Sequence, residues 1–217
     1  MTRWAAYPSA DCSLREGTPL TGNGTDLFLG FGYGAAPGDI VHLVQRFDIT
    51  TLPTETIITA VVELTITSIN VSLAGLSVLV YGLTEGSGAE FEEGQGLNNE
   101  ANWTNFAEGA AWVPAGGATD GVLGHATLDA STLVVGRNNL DVTDLVVAAR
   151  AQGYTTLGLL YQLSGDGTGR SVISSTRESA SVAVRPLLMV TLEDVSDVQP
   201  QRTHPMRFPH NRQLLGG

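Results

Sequence analysis

Short apolar segments, most of them bounded by Gly, Asn, Asp or Pro, recur along the first half of the chain. The four clearest cover residues 26–31, 40–49, 57–69 and 76–83. They are rich in β-branched side chains, which is typical of short strands that are buried on one face. The sequence therefore predicts a strand at each of the four.

The segment 57–69 shows the clearest alternation. In it Val62, Leu64 and Ile66 alternate with Glu63 and two threonines. Because successive side chains of a strand point to opposite faces, the three apolar residues would face a core and the polar ones would face water. This pattern predicts an antiparallel sheet with one wet side.

The second half adds more strands, one helix and a turn. Further strands are expected at residues 122–128, 156–163, 171–176 and 187–192. Residues 141–152 are expected to form the one helix, with Asp141 or Thr143 as its N-cap and Gly153 as its stop. The composition of residues 164–169 favours a hairpin turn. Many short strands with a single helix predict an all-β antiparallel β-sandwich.

Residues 86–121 differ from the rest of the chain because they are rich in Gly, Asn and Glu and show little periodicity. Trp103 and Trp112 lie within this stretch. A loop of this length inside a compact domain usually carries function or packs by its own side chains. The two tryptophans could form a flat platform for sugar rings, or they could attach the loop to the sandwich.

Eight short motifs occur in a fixed order along residues 11–193. They are DCSLREG at 11–17, VQRFDIT at 44–50, TAVVEL at 59–64, NW at 102–103, Trp112 followed by Gly116 and Gly117, LDVTDLV at 140–146, STRES at 175–179 and RPLLMV at 185–190. In this order they resemble the DNRLRE family of jelly-roll domains, which are related to carbohydrate-binding modules and disaggregatase repeats. The resemblance implies a two-sheet jelly roll with a short helix before the last strands, and a non-catalytic attachment or scaffold role.

Charge is divided unevenly along the 217 residues. All 11 basic residues are Arg, and they stand against 22 acidic residues. Residues 198–217 hold three Arg and no acid, so residues 1–197 hold 8 Arg and 22 acids and carry a net charge of −14. An acidic body repels phosphate backbones and anionic lipids. We therefore expect neither nucleic acid nor a membrane among the partners.

The basic segment 198–217 is expected to form an extended C-terminal arm outside the sandwich domain of residues 1–197. Pro200, Pro205 and Pro209 oppose a helix over most of its length and favour an extended path. We expect the arm to dock on neighbouring subunits. The docking side chains would be its arginines and large apolar residues, namely Arg202, Met206, Arg207, Phe208, Arg212, Leu214 and Leu215.

Acidic side chains supply the candidates for other chemistry. Glu90, Glu92 and Glu93, with Glu85 before them, could bind Ca²⁺ or serve glycoside hydrolysis, although solvated surface charge explains them equally simply. In the motifs given above, Asp11, Arg177 and Glu178 could form a buried ion pair or, alternatively, ligate a metal. We expect no resident metal or other cofactor, with Glu90, Glu92 and Glu93 as the candidates if a metal is bound.

Cys12 is the one cysteine of the chain, which excludes an internal disulfide and a thiolate zinc cluster. We expect it to lie in a strand as a small buried hydrophobe. The sequence holds no recognisable catalytic constellation, so we expect no enzyme. Residues 1–14 contain no continuous apolar stretch, so we expect no Sec signal peptide there.

These features lead to two hypotheses on function. The first is a non-catalytic structural protein of a virion, such as a bacteriophage capsid decoration or tail-associated protein. Its arm would join it to other virion proteins and to copies of itself. The second is a free-standing carbohydrate-binding or cell-surface adhesion module that binds glycans outside the cell or at its surface.

Overall fold

The structure is a computed structural model. It describes residues 1–18, 24, 26–34, 39–86, 88–93, 101–107, 110–113, 116, 123–165 and 169–194. Within these residues the strands are β1 (Thr2–Ala6), β2 (Pro8–Arg15), β3 (Phe28–Tyr33), β4 (Ile40–Asp48), β5 (Ile57–Asn70), β6 (Ser77–Leu83), β7 (Asn105–Ala107), β8 (Ala110–Ala111), β9 (Gly124–Asp129), β10 (Gly136–Asp141), β11 (Thr156–Leu163), β12 (Ser171–Ser175) and β13 (Leu187–Leu192). The α-helix is α1 (Thr143–Ala151), and Ala130–Thr132 and Val182–Val184 form 3₁₀ turns.

The strands pair antiparallel throughout and form one curled main sheet, while β7 and β8 pair separately. On one side of the sandwich the long strand β5 pairs with β10, β12 and β13, and β1 continues beyond β13. On the other side the order is β2, β4, β11, β6 and β9. A short pairing of β3 with β4, at Gly32 with Val41 and Tyr33 with Ile40, joins the two sides. The fold is therefore all-β and sandwich-like, as predicted.

The main core lies between the two sides of the sandwich. Val62, Leu64 and Ile66 on β5 are buried in it, whereas Glu63 and the neighbouring threonines lie at or near the surface. The alternation predicted for this strand is confirmed. The helix α1 adds Leu145, Val146 and Ala149 to the same core. Among the described residues, no helix is both long enough and apolar enough to cross a membrane.

The helix was predicted at residues 141–152 and spans residues 143–151, so its start differs more than its end. It begins at Thr143 with Val142 as the N-cap, so neither Asp141 nor Thr143 is the capping residue. The Asp141 carboxylate instead accepts a hydrogen bond from the Thr143 N–H at 2.9 Å, which satisfies a donor of the first turn. At the other end Gly153 has φ 75°, a left-handed conformation that suits glycine after a helix.

The predicted hairpin at residues 164–169 is wrong. Strand β11 before it pairs with β4 and β6, and strand β12 after it pairs with β3 and β5. The two strands therefore lie in different parts of the curled sheet and are not neighbours. Gly and Asp mark a turn at this point of the sequence, but pairing is decided by contacts with distant strands.

Candidate functional site

A second layer of protein covers the outer face of the sheet formed by β2, β4, β11 and β6. It comes from the described parts of the segment 84–113, which we call the covering loop. Together the sheet face and the loop bury a second apolar cluster, separate from the main core. Its members are Ala10, Cys12, Leu14, Val44, Leu83, Ala89, Phe91, Ala101, Trp112 and Leu160. The expectation that Cys12 is a buried hydrophobe in a strand is confirmed.

The close approach of the covering loop to the sheet depends on Gly158 in β11. A Cβ atom at Gly158 would lie 2.6 Å from the Cα of Ala89 and 3.1 Å from the Cβ of Leu83. Backbone at that distance leaves no room for a side chain. The glycine therefore allows the loop backbone to lie directly on the strand.

Arg46 attaches the covering loop from its position on β4. Its Nη1 donates a hydrogen bond to the carbonyl oxygen of Phe91 at 2.7 Å, and the guanidinium lies 5.7 Å from the centre of the Phe91 ring. A cation above an aromatic face is attracted to it. The sequence reasoning missed this contact, although an arginine next to the apolar Phe47 inside a strand was a usable signal.

Trp112 packs inside the second cluster and is only 3 % exposed. Its Nε1 donates a hydrogen bond to the carbonyl oxygen of Asn102 at 2.7 Å, and its ring lies 5.4 Å from that of Phe106. A side chain covered in this way has no face open to a sugar ring. For Trp112 the structure therefore corrects the platform hypothesis and supports packing.

Trp103 is half-buried beside His42, with 5.2 Å between the two ring centres. A Cβ atom at Gly116, which has φ +88°, would come within 2.6 Å of the Trp103 ring. His42 Nδ1 forms a hydrogen bond with the Gly116 carbonyl oxygen, and burial lowers the pKa of the His42 imidazole. Trp103 thus contacts the β4 surface and keeps part of its ring exposed.

The glutamates predicted as metal candidates point to different places. Glu90 accepts a hydrogen bond from the Gly86 N–H at 2.6 Å, and Glu92 is exposed. Glu85 accepts from the N–H of Thr155 at 2.9 Å. Glu93 forms an ion pair with Arg177, described below. In the part of the chain that the structure describes, no three His, Cys, Asp or Glu side chains gather as a metal site, which corrects the grouping of Glu90, Glu92 and Glu93.

A charge cluster joins Asp11 and Glu93, whose side chains are buried, to Arg177 and Glu178, which are partly exposed. Asp11 on β2 is fully buried, and its Oδ2 accepts a hydrogen bond from the Arg177 N–H at 2.9 Å. The Arg177 Nη2 contacts Glu93 Oε2 and lies 3.0 Å from Glu178 Oε1. Structure and sequence agree that Asp11, Arg177 and Glu178 meet, but the ion pairs of Arg177 are with the two glutamates.

The electrostatics of this cluster are dominated by burial. Burial raises the pKa of Asp11 to about 7, although the bond from the Arg177 N–H favours the charged form. Burial also raises the pKa of Glu93 and outweighs the attraction of Arg177. Among the described residues, Asp11 Oδ1, Glu93 Oε1 and Arg177 Nε have no hydrogen-bond partner. An incompletely satisfied cluster of buried polar atoms is costly to maintain.

The position of the cluster indicates what it does. Asp11 belongs to β2, Glu93 to the covering loop, and Arg177 to the turn after β12. Because Asp11 has no exposed surface, its carboxyl group cannot touch a substrate in this structure. The cluster therefore joins three distant parts of the chain and acts as a structural clamp on the loop.

A double-mutant cycle tests the clamp. We expect Arg177→Met and Glu93→Gln each to destabilise the fold, with a coupling free energy between them of about 1 to 3 kcal/mol, because Arg177→Met leaves the buried carboxylate of Glu93 without its ion-pair partner. Urea unfolding at pH 7.5 measures the four free energies of unfolding. The matched control is the ion pair of Arg137 with Glu63, 2.9 Å apart, in which the arginine is more exposed to solvent than Arg177, so its coupling should be the smaller of the two. Equal coupling in both cycles would contradict the clamp.

The predicted arm residues Arg202, Met206, Arg207, Phe208, Arg212, Leu214 and Leu215 lie outside the described residues. Their docking role stays a prediction. No protein-family model matches the chain, and no curated protein is significantly similar to it.

Proposed function

We propose that the chain is a non-catalytic structural subunit of a virion, such as a bacteriophage capsid decoration or tail-associated protein. The observation that carries the proposal is the division of charge between residues 1–197, with a net charge of −14, and residues 198–217, with three arginines and no acid. A basic arm and an acidic body on the same chain attract each other between copies. Contacts of this head-to-tail kind build larger assemblies from one repeated subunit.

The folded body suits such a role. Its two apolar clusters and the clamped covering loop form a rigid unit that holds a surface in one shape. The resemblance to DNRLRE-type domains agrees with this proposal, because such domains resemble attachment or scaffold units. A scaffold needs shape and contact surfaces, and it does not need a cleft that binds a reacting group.

Deleting residues 198–217 tests the proposal. In the full chain we expect native mass spectrometry to show assemblies, and particles isolated from cells that express it to contain the chain. The deletion should leave the circular dichroism spectrum of the sandwich unchanged and should abolish both assembly and incorporation into particles. An unchanged native mass and unchanged incorporation would refute the proposal.

A second variant separates charge from contact area. Replacing the arm arginines with glutamine, as Arg202→Gln, Arg207→Gln and Arg212→Gln together, keeps the length and the apolar side chains. If attraction to the acidic body drives assembly, this variant should assemble less at low salt and should resemble the full chain more closely at high salt, where surface charges are screened. The assembly state of the deletion variant should not change between low and high salt.

A further inference from the structure

A surface groove runs between β3, β4 and β12. Its lining includes Phe28, Ile173, Val41, Tyr33 and Arg15. Phe28 is 54 % exposed, and Leu27 next to it is also 54 % exposed. Two adjacent large apolar side chains that face solvent beside an apolar groove mark an interaction surface.

The floor of the groove is formed by Gly30. It pairs with Ile173 across the sheet, and a Cβ atom on it would lie 2.9 Å from the carbonyl oxygen of Val172. Backbone this close leaves no room for a side chain at Gly30, so none projects between Phe28 and Ile173. The groove is a property of the backbone and of two apolar side chains, and it has room for an apolar side chain from outside.

Two exposed acids and the partly buried Arg170 stand close in sequence to residues that line the groove. Arg15 is neutralised by Asp39, with 2.6 Å between Nη2 and Oδ2. Glu16 follows Arg15 and Asp26 precedes Leu27, and both of these acids are exposed. An apolar groove with two exposed acids nearby fits a partner segment that alternates apolar and basic side chains.

The segment 198–217 of the same chain has this composition. Within it Arg207 stands next to Phe208, Met206 precedes them, and no acid occurs. Residues 195–208, fully extended, would span about 43 Å at about 3.1 Å per residue. Length therefore permits the segment to reach a groove either on its own body or on a neighbour.

The direction of the last strand favours a neighbour. Strand β13 runs along β5 from Glu63 to Ile57, whereas the groove lies beside Ser68 and Asn70, at the opposite end of β5. The described chain therefore leaves the sandwich about 35 Å from the groove and points away from it. To reach its own groove the chain would have to reverse direction, whereas a groove on an adjacent copy could be reached without this reversal.

We propose that this groove binds the segment 198–217 of a second copy of the chain. Met206 and Phe208 would lie between Phe28 and Ile173, with the arginines directed to Glu16 and Asp26. This inference rests on the proposed assembly through the arm, and it adds the surface that receives the arm.

Cross-linking between two cysteine variants tests the groove and the source of the arm together. Phe28→Cys and Phe208→Cys are made in separate full-length chains, mixed, and oxidised mildly. We expect a covalent heterodimer to form at least tenfold faster than in a mixture of Val182→Cys with Phe208→Cys. Val182 is a matched control because it is also about half exposed, at 52 %, but lies away from the groove. Cys12 is buried and present in every chain.

Each alternative result has a defined meaning. Equal rates with Val182→Cys and Phe28→Cys, or no heterodimer, would overturn the inference. A cross-linked monomer from the double variant Phe28→Cys with Phe208→Cys, without any heterodimer from the mixture, would overturn the choice of a second copy. If deletion of 198–217 abolishes assembly but no groove cross-link forms, the proposed function stands and the groove assignment fails. If deletion also leaves assembly unchanged, both fail.

The groove can also be tested without cysteines. Phe28→Asp places a charge among apolar side chains near two exposed acids, so it should weaken self-association at least tenfold, whereas Val182→Asp should leave it within twofold. Sedimentation equilibrium of the full-length variants measures both. Equal weakening by the two variants would count against the groove.

Discussion

Replacing Trp112 with alanine is expected to lower the free energy of unfolding by about 3 to 5 kcal/mol, the largest loss we expect from one side chain of the covering loop. The indole is almost fully buried between the loop and the sheet, and it donates a hydrogen bond to Asn102. Gly88, with φ +113°, lies against the ring so closely that a Cβ atom would come within 2.1 Å of it. The cavity left by alanine is therefore enclosed by backbone that cannot collapse easily.

Urea unfolding at 25 °C measures this loss. Val113→Ala is the control, because Val113 is the next residue and is 72 % exposed. This substitution should change the free energy of unfolding by less than about 0.5 kcal/mol. The loss for Trp112→Phe should lie between those of Trp112→Ala and Val113→Ala. Phenylalanine keeps most of the apolar surface but loses the hydrogen bond to Asn102. A loss below about 1 kcal/mol for Trp112→Ala would show that the covering loop does not pack on the sheet.

Asp11→Asn should change the way in which the free energy of unfolding depends on pH, and this is the second large effect. In the folded chain the pKa of Asp11 is about 7, compared with an ordinary value of 3.8. Between these values the folded state retains a proton that the unfolded state has lost. Asp11 therefore contributes stability below about pH 4 that is lost as the pH rises to 7, by roughly 4 kcal/mol in total. Asparagine cannot ionise, so this loss should disappear.

The measurement is the difference in free energy of unfolding between Asp11→Asn and the unmodified chain from pH 4.5 to 7.5. Using the difference removes the contribution of His42, whose lowered pKa makes stability rise with pH over the lower part of this range. Asp129→Asn is the control. Bonds from Ser131 hold the pKa of Asp129 below its usual range, so its titration falls below this window. Parallel curves for Asp11→Asn and the unmodified chain would rule out a buried carboxyl group that ionises near pH 7.

The strands that sequence reasoning located best are those rich in large apolar side chains. Strands β11 and β13 have the predicted bounds, and β5 differs from its prediction by one residue. Strand β10 was not predicted, because GRNNLD is mostly polar and looks like a loop. Its buried Asn138 is satisfied by its own turn, since Nδ2 donates to the carbonyl oxygens of Val134 and Gly136. That solution depends on a local backbone shape that composition does not reveal.

Strand β2 shows why the clamp was only partly predictable. It is buried on both faces, with Cys12 towards the covering loop and Asp11 and Ser13 on the opposite face. Ser13 bonds to the backbone of Gly30, and Asp11 bonds to that of Arg177, which is 166 residues away along the chain. The motifs indicated that Asp11 and Arg177 belong together. They gave no indication of Glu93, because its partner is determined by how the covering loop folds back.

The burial of Cys12 has a practical consequence. Its side chain lies beneath the covering loop, and its Sγ contacts the carbonyl oxygen of Ala101 at 3.3 Å. A thiol reagent reaches this sulfur only when the loop lifts or the whole chain unfolds, so the rate of labelling reports local opening in the native protein. The chain thus contains its own probe of loop dynamics, at a single position and without any engineered label.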